Sequence, residues 1–271
     1  MSDNAIKQSL ADYSHALHRQ GWVANHDGNI THRSSDGERF LATPTATSKA
    51  RVTPDSVLLV DTAGAKVGSG GGRPFSELGL HLAVFSARKD VRAVVHAHPP
   101  HATGLAVAGL ALDVPMIAEA VVSLGPSVPL VPVAAPGAAA ASALAPYLAQ
   151  YDAVLLGNHG VLTWGSDLEQ AYLRMELVEH LARIAVIARQ LGAVRALPAS
   201  MLPALAESRA KAGLGPRGRG LPESEATARP LVIACAPGPS DADVKVRDDK
   251  RAPSELSAII REELQRALRG G

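Results

Sequence analysis

The chain has 271 residues, enough for one sizeable α/β domain with an additional segment. Hydrophobic residues make up 46% but aromatic residues only 3%, which argues against a base-stacking surface for nucleic acid. The net charge of +1 provides no overall field for nucleic acid or an anionic membrane. Because Cys235 is the only cysteine and no apolar run reaches the ~18 residues of a membrane span, we expect a cytoplasmic protein.

Helix-like and strand-like patterns alternate through the first 213 residues. The predicted elements are a helix over 5–20, a strand over 57–61, a glycine-rich loop over 64–72, a helix over 77–87, a strand over 91–95, a helix over 101–108, a strand over 128–133, a helix over 138–150, strands over 153–156 and 161–164, and a long helix from a capping box at Ser166 to about Leu191. The glycine-rich loop does not complete a GxGxxG, so no dinucleotide site is expected. The alternation predicts an α/β sandwich.

The composition changes after about residue 213. Residues 214–252 are rich in proline, glycine and charge, and they predict a flexible linker because such a segment buries too little apolar surface to offset its ordering entropy. Residues 253–271 begin with Pro-Ser-Glu and predict an amphipathic helix with a narrow apolar stripe. We therefore expect a domain over 1–213, a linker and a terminal helix.

Three histidines stand at the ends of predicted strands. His96 and His98 are two residues apart, and the alternation of a strand places both imidazoles on the same side. His159 follows another apolar strand, between two glycines that would allow the backbone to turn closely. An isolated HxH among 10 histidines is a weak signal, but its repetition at a second strand end predicts a three-histidine metal site with an open position.

Glu77 opens a predicted helix, where a favourable charge–dipole contact would by itself explain a glutamate. The sequence around Glu77 and elsewhere in the chain carries more information, because several short motifs occur together in a particular order and spacing. These are Pro-Phe-Ser-Glu at 74–77, His-Ala-His at 96–98, Asn-His-Gly at 158–160, Gly-Asn-Ile-Thr at 28–31, Thr-Pro-Thr at 43–45 and Val-Thr-Pro-Asp at 52–55. Together they resemble the class II aldolase/adducin family over roughly residues 5 to 213.

The resemblance implies a three-layer α/β/α sandwich with a largely antiparallel central sheet, assembled as a homotetramer. It implies one Zn²⁺ per subunit, or another divalent ion, held by His96, His98 and His159, with Glu77 as the acid/base. The implied activity is a lyase of carbohydrate metabolism that cleaves a ketose-1-phosphate of the L-fuculose type through a metal-stabilised enediolate. Its products would be dihydroxyacetone phosphate and an aldehyde such as lactaldehyde.

Other activities of the same family stay open. A sugar-phosphate 4-epimerase, dehydratase or decarboxylase would use the same metal site. A non-catalytic, adducin-like binding protein is the third class, but loss of the metal histidines distinguishes it, and all three are present here.

The substrate site departs from the fuculose-phosphate pattern at several positions. The resemblance places the phosphate at Gly28, Asn29, Thr45, Ala46 and Ser76, but Ala46 replaces a glycine and Phe75 replaces a first serine. The backbone amides still serve with Ala46 unless the turn needs a positive φ. Relatives protonate the leaving aldehyde with a tyrosine, which the segment 115–119 lacks; Glu119 is the titratable alternative there, or else a salt-bridged residue at a subunit interface.

The terminal helix at 253–271 resembles the encapsulation peptides of bacterial microcompartments. A polar linker precedes it, and its apolar face would consist of Leu256, Ile259, Ile260, Leu264 and Leu268. Shell proteins would then be partners and the enzyme would reside inside a shell. A helix docked on its own tetramer, or a disordered tail, are the alternatives.

Overall fold

The structure is a computed structural model that describes residues 1–68 and 72–220. Its helices are α1 (Asp3–Arg19), α2 (Leu78–Ala87), α3 (Pro100–Val107), α4 (Ala118–Ser123), α5 (Ala138–Leu144), α6 (Leu168–Gln190), α7 (Leu202–Lys211) and α8 (Gly215–Gly218). Its strands are β1 (Asn29–Arg33), β2 (Phe40–Ala42), β3 (Leu58–Val60), β4 (Lys66–Val67), β5 (Ala93–Ala97), β6 (Leu130–Val131), β7 (Ala153–Leu156) and β8 (Gly160–Gly165).

The strands form one sheet in the order β4-β3-β2-β1-β5-β8-β7-β6. Neighbours pair antiparallel except at one edge, where β6 runs parallel to β7. The prediction of a largely antiparallel sheet is therefore corrected to a mixed sheet. The physical reason is the connection through α5, since a helical crossover returns the chain in the same direction whereas a tight turn reverses it.

Helices cover both faces of the sheet, which gives the three layers. On one face, residues of α1, α3 and α6 such as Leu10 and Met175 share a buried cluster with Val95 of β5. On the other face, residues of α2 and α5 such as Phe85 pack with Val94. Because successive residues of a strand point to opposite faces, β5 is buried on both sides in the middle of the molecule.

Several boundaries differ from the sequence prediction for local reasons. The strand expected over 128–133 contracts to β6, since Pro129 and Pro132 lack the N–H that a sheet ladder needs. The long helix α6 starts after Asp167, whose side chain accepts a hydrogen bond from the N–H of Gln170, so the N-cap lies one residue beyond Ser166.

The first residues of the predicted linker lie in the described part of the chain. They form α8, and the following Arg219 donates hydrogen bonds to the buried carboxylate of Asp152 at 3.1 and 3.4 Å. Residues 221–252 and the predicted helix at 253–271 lie outside the described residues, so the domain division remains a prediction. Within residues 1–68 and 72–220, none of the helices is long and apolar enough to cross a bilayer.

Candidate metal and acid/base centre

The imidazoles of His96, His98 and His159 converge at the end of β5. His96 lies within the strand, His98 follows it, and His159 lies in the turn between β7 and β8. The Nε2 atoms of His96 and His98 are 3.0 Å apart, and the three ring centroids are 4.6 to 5.0 Å from one another. One nitrogen from each ring lies within 4.8 Å of the others, a separation that a single ion can bridge.

Strand pairing brings the third histidine to the other two. Because Val161 of β8 pairs with Ala97 of β5, the turn that carries His159 lies beside the end of β5. Gly160 permits this approach: a Cβ there would stand 2.6 Å from the carbonyl oxygen of Ala97 and 2.6 Å from Cδ2 of His98. Asn158 adopts a φ of 53°, a conformation that asparagine tolerates better than most residues. The turn therefore requires its Asn-His-Gly sequence.

The protonation of the histidines suits a metal. Burial lowers the pKa of His96 to about 3, and it also lowers the pKa of His98, so both rings are neutral near pH 7. Nδ1 of His96 lies 2.9 Å from the carbonyl oxygen of Val161, which is a hydrogen-bond acceptor. His96 therefore carries its proton on Nδ1 and directs the lone pair of Nε2 toward the other two rings. The neutral imidazoles of His96 and His98, with a ring nitrogen of His159 converging on them, fit a divalent transition-metal ion.

Glu77 places its carboxylate against the histidines from the N-terminal end of α2. Its Oε1 is 2.7 Å from Nε2 of His159, its Oε2 is 3.6 Å from Nε2 of His96, and Asn29 donates a hydrogen bond to Oε2 at 2.8 Å. Burial raises the pKa of Glu77, but the hydrogen bonds with His159 and with the Asn29 amide help to hold it well below its usual value. Glu77 is thus an ionised carboxylate at the centre.

The segments predicted to hold phosphate meet at the same end of the sheet. Asn29 is joined to Glu77, and the N–H of Thr45 donates to the carbonyl of Arg73, just before the exposed Ser76. Ala46 has a φ of 53°, so this turn does need a positive φ, and alanine there costs about 1–2 kcal/mol relative to a relaxed backbone. The turn therefore keeps its left-handed conformation at Ala46, although the backbone of an alanine is strained there.

Glu119 is not brought to the histidines within one chain. It lies exposed in the first turn of α4, without a hydrogen bond or ion pair to another residue in 1–68 or 72–220. The carboxylates that contact the three histidines in that part of the chain are Glu77 and Asp27. Asp27 places Oδ2 3.5 Å from Nδ1 of His98, on the outer side of the ring.

Sequence reasoning missed Asp27 and a second residue, Lys49. Asp27 immediately precedes the Gly-Asn motif, and this position could have drawn attention to it. Lys49 is surrounded in sequence by polar and small residues that indicate a surface, so the sequence held no signal that its side chain would be buried.

The family model of the Class II Aldolase and Adducin N-terminal domain matches residues 8–186. The chain therefore belongs to this family. It is a lyase of the metal-dependent class II aldolases. The chain is 31% identical over 188 residues to a 3-oxo-tetronate 4-phosphate decarboxylase of Cupriavidus necator, covering 68% of this chain and 84% of that protein. It is 30% identical over 186 residues to an L-fuculose phosphate aldolase of Escherichia coli, with the same two coverages, 68% and 84%. A solved L-fuculose 1-phosphate aldolase superposes with a TM-score of 0.69 at 27% identity, covering 75% of this chain and 95% of that one.

Proposed function

We propose that the protein is a zinc-dependent aldolase that splits a ketose-1-phosphate of the L-fuculose type into dihydroxyacetone phosphate and an aldehyde such as lactaldehyde. The observation that carries the proposal is the contact of the ionised Glu77 with Nε2 of His159, 2.7 Å away, beside the neutral imidazoles of His96 and His98. A carboxylate next to a three-nitrogen metal site provides both a base and a Lewis acid in one cleft.

When bound, the ion would polarise the ketone oxygen of the substrate and stabilise negative charge on it. The chain's own residues account for the proton transfers. As the C3–C4 bond breaks, its electrons would form the enediolate of dihydroxyacetone phosphate. The ionised Glu77 would gain a proton from solvent and deliver it to C3, and the proton lost from the C4 hydroxyl would return to solvent. Asn29 holds Oε2 of Glu77 at 2.8 Å, which keeps the carboxyl group oriented when His159 turns its nitrogen to an ion.

The aldehyde half of the reaction needs a second group, which takes the proton from the C4 hydroxyl. We propose Glu119 for this role, because in the reverse direction the same group would donate a proton to the aldehyde oxygen, which is the role considered for it in the segment 115–119 beside that of a salt-bridged interface residue. Since Glu119 lies exposed and away from the histidines of its own chain, it would act on the site of a neighbouring copy in a homotetramer. Replacing it by glutamine should then lower kcat without changing the bound metal, whereas unchanged kcat would remove it from the mechanism.

Decarboxylation of a 3-oxo-tetronate 4-phosphate is the second candidate. Loss of CO₂ from C2 of this substrate gives the same enediolate, and a proton from Glu77 at C2 again yields dihydroxyacetone phosphate. This reaction has no leaving hydroxyl to deprotonate. It is favoured by the single-chain arrangement, where Glu77 and Asp27 are the described carboxylates in contact with the histidines, and by the similarity to the Cupriavidus decarboxylase.

Both reactions release dihydroxyacetone phosphate, so this product alone does not distinguish them. A product assay separates the two reactions through their second products, an aldehyde or CO₂. The protein would be incubated with a panel of ketose-1-phosphates, ketose-5-phosphates and 3-oxo-tetronate 4-phosphate, and aldehyde and CO₂ would be measured separately. Formation of an aldehyde supports the aldolase reaction, and formation of CO₂ supports the decarboxylase reaction. If the assay shows 4-epimerisation or loss of water instead, both proposed reactions are wrong.

The histidines provide the control for this assay. A chelator, His96→Ala or His159→Ala should each abolish product formation, and His180→Ala, on the exposed face of α6, should leave it unchanged. Dihydroxyacetone phosphate release that survives His96→Ala would refute the metal-dependent mechanism.

We also propose that residues 253–271 bind microcompartment shell proteins. The support is the sequence pattern of a charged helix with one apolar stripe after a polar linker, and retention of a reactive aldehyde would give such a shell a purpose. Deleting residues 240–271 should leave the rate of substrate cleavage and the oligomer mass unchanged but abolish co-assembly with shell proteins. Co-assembly that persists in the deletion variant contradicts the proposal.

A further inference from the structure

Lys49 is buried to an extent that is rare for lysine. Only 2% of it is exposed, and Nζ donates hydrogen bonds to the carbonyl oxygens of Thr47 at 2.8 Å and His26 at 3.2 Å. No carboxylate of the described residues lies within 4.0 Å of its ammonium group. Burial therefore lowers the pKa of Lys49 to about 8, although the charge of Asp27 acts in the opposite direction.

The two carbonyls that Lys49 contacts belong to two different turns. His26 precedes Gly28 and Asn29, whereas Thr47 follows Ala46. Gly28 has a φ of 72°, and a Cβ on it would stand 2.5 Å from Cγ1 of Val23, so its turn has little freedom to relax. Lys49 thus joins the two turns to which we assign the substrate phosphate.

A structural link between two turns does not require a charge at this place. An ammonium group has three donors, and only two of those of Lys49 have a partner among the described residues. Burying a charge without an ion-pair partner is unfavourable, and an apolar side chain of similar length would avoid that cost. In surroundings of low polarity, however, the same charge attracts a dianion more strongly than an exposed lysine can.

We propose that Lys49 is a positioning residue of the phosphate subsite, where its buried ammonium fixes the two turns at Gly28–Asn29 and Thr45–Ala46 relative to each other and supplies the positive charge for a phosphomonoester dianion. This inference rests on the proposed function in its choice of ligand. It adds a residue to the subsite that neither the sequence pattern nor the family resemblance indicates.

The test is the binding of inorganic phosphate, measured by calorimetry on the full chain as purified and again after dialysis against a chelator. Lys49→Met keeps the length of the side chain and removes the charge, and it should weaken the binding of phosphate at least about tenfold. Lys89→Met makes the same change of charge at an exposed position beyond the far end of α2, and it should leave the dissociation constant unchanged.

Kinetics separates an electrostatic role from a purely structural one. Lys49→Met should raise KM for a phosphorylated ketose about tenfold or more, and lower kcat/KM much more for the phosphorylated than for the unphosphorylated ketose. A folded Lys49→Met protein that binds phosphate as tightly as the wild type overturns the proposal. Because phosphate binding needs no turnover, the assay remains decisive even if neither proposed reaction is observed.

The wild-type protein provides a second measurement if Lys49→Met does not fold. Sulfate remains a dianion above pH 7, and Asp27 is the charged group that faces the ammonium. The affinity for sulfate should therefore fall between pH 7 and pH 9.5 as Lys49 loses its proton. Sulfate binding that does not change over this range contradicts the proposal.

Discussion

Glu77 makes the most direct contacts of any side chain with the predicted metal ligands. Glu77→Gln keeps the shape and the contact with Asn29 but removes the base, so we expect kcat to fall by about 10²–10⁴ while the metal content is unchanged. Metal content by atomic absorption and turnover by the product assay would be measured on the same sample.

Glu169 is a matched control for this substitution. It also lies in the first turn of a helix, α6, but it is exposed and makes no ion pair with the three histidines in the described part of the chain. Glu169→Gln should therefore retain wild-type kcat. Equal losses in the two variants would show that the role of Glu77 is no more than a favourable contact with its helix.

At the scale of single residues, the sequence predicted those side chains whose type is unusual for their place at the end of a strand or the start of a helix. Histidines placed directly after apolar strands are informative because a strand end would otherwise carry turn residues. Lys49 was not predictable, since burial depends on which distant turn covers it and its sequence neighbours are polar. The same holds for the contact between Asn29 and Glu77, which are 48 residues apart.

The hairpin of β7 and β8 positions His159 through one glycine. Gly160→Ala would place a methyl group 2.6 Å from Cδ2 of His98 and 2.6 Å from the carbonyl oxygen of Ala97, so either the ring or the strand must shift. We expect zinc affinity, measured by competition with a chromophoric chelator, to fall at least about tenfold. Gly79→Ala is the control, because nothing lies within 4 Å of a Cβ there and α2 gains a better helix former. Unchanged zinc affinity in Gly160→Ala would contradict the expected displacement of His98.

Asp152 joins several elements at the other end of the sheet. Its buried carboxylate accepts contacts from arginines that follow α2 and α8 or lie in α6 and α7, namely Arg88, Arg219, Arg174 and Arg209. Burial raises the pKa of Asp152, but the four guanidinium groups outweigh it, so the pKa in the folded protein lies below its usual value. This depressed pKa makes the carboxylate a source of stability above the unfolded-state pKa of about 3.9.

Asp152→Asn should therefore destabilise the protein at neutral pH by about 3–5 kcal/mol, since three buried arginines and the partly buried Arg219 lose a shared anion, although Arg88 keeps its contact with Asp90. The difference should begin to shrink as the pH falls below the unfolded-state pKa of about 4. It should disappear once the pH is below the depressed pKa of Asp152 in the folded protein, because an amide and a neutral carboxyl have nearly the same shape. Urea unfolding at several pH values from about 7 down to about 2 would measure it. A difference that is constant over this range contradicts the account.

Elements were predictable where periodicity and length agreed, as in α1, α2 and α6. The strands β2 and β4 were not predicted, and β6 was predicted to be longer than it is. Two or three residues are too few to show the hydrophobic alternation of a strand, and the pairing of these strands depends on neighbours distant in sequence. The parallel edge follows from the path of the chain through α5, which no local pattern reveals.

The whole molecule should respond to its metal as a folding ligand. When the free ion concentration is 100 times the dissociation constant, binding to the folded chain adds about 2.7 kcal/mol to the free energy of unfolding. In a domain of this size, this increase raises Tm by roughly 5–10 °C. Calorimetric scans with and without Zn²⁺ would show the shift in the wild type but not in His96→Ala. A shift that survives His96→Ala would place the ion elsewhere.

The position of β5 in the sheet also determines how the site opens. β5 has β1 and β8 as neighbours and is buried on both faces, whereas β4 and β6 form the two edges. Fraying that begins at those edges leaves the backbone under His96 intact, so the amide hydrogens of Ala93–Ala97 should exchange with deuterium only through global unfolding. Mass spectrometry of deuterium uptake would test this, with Lys66–Val67 as the fast-exchanging reference. The backbone that carries His96 would then stay closed while the sheet edges open, so the release of an ion to a chelator would depend on its bonds to the imidazoles and not on fraying of the sheet.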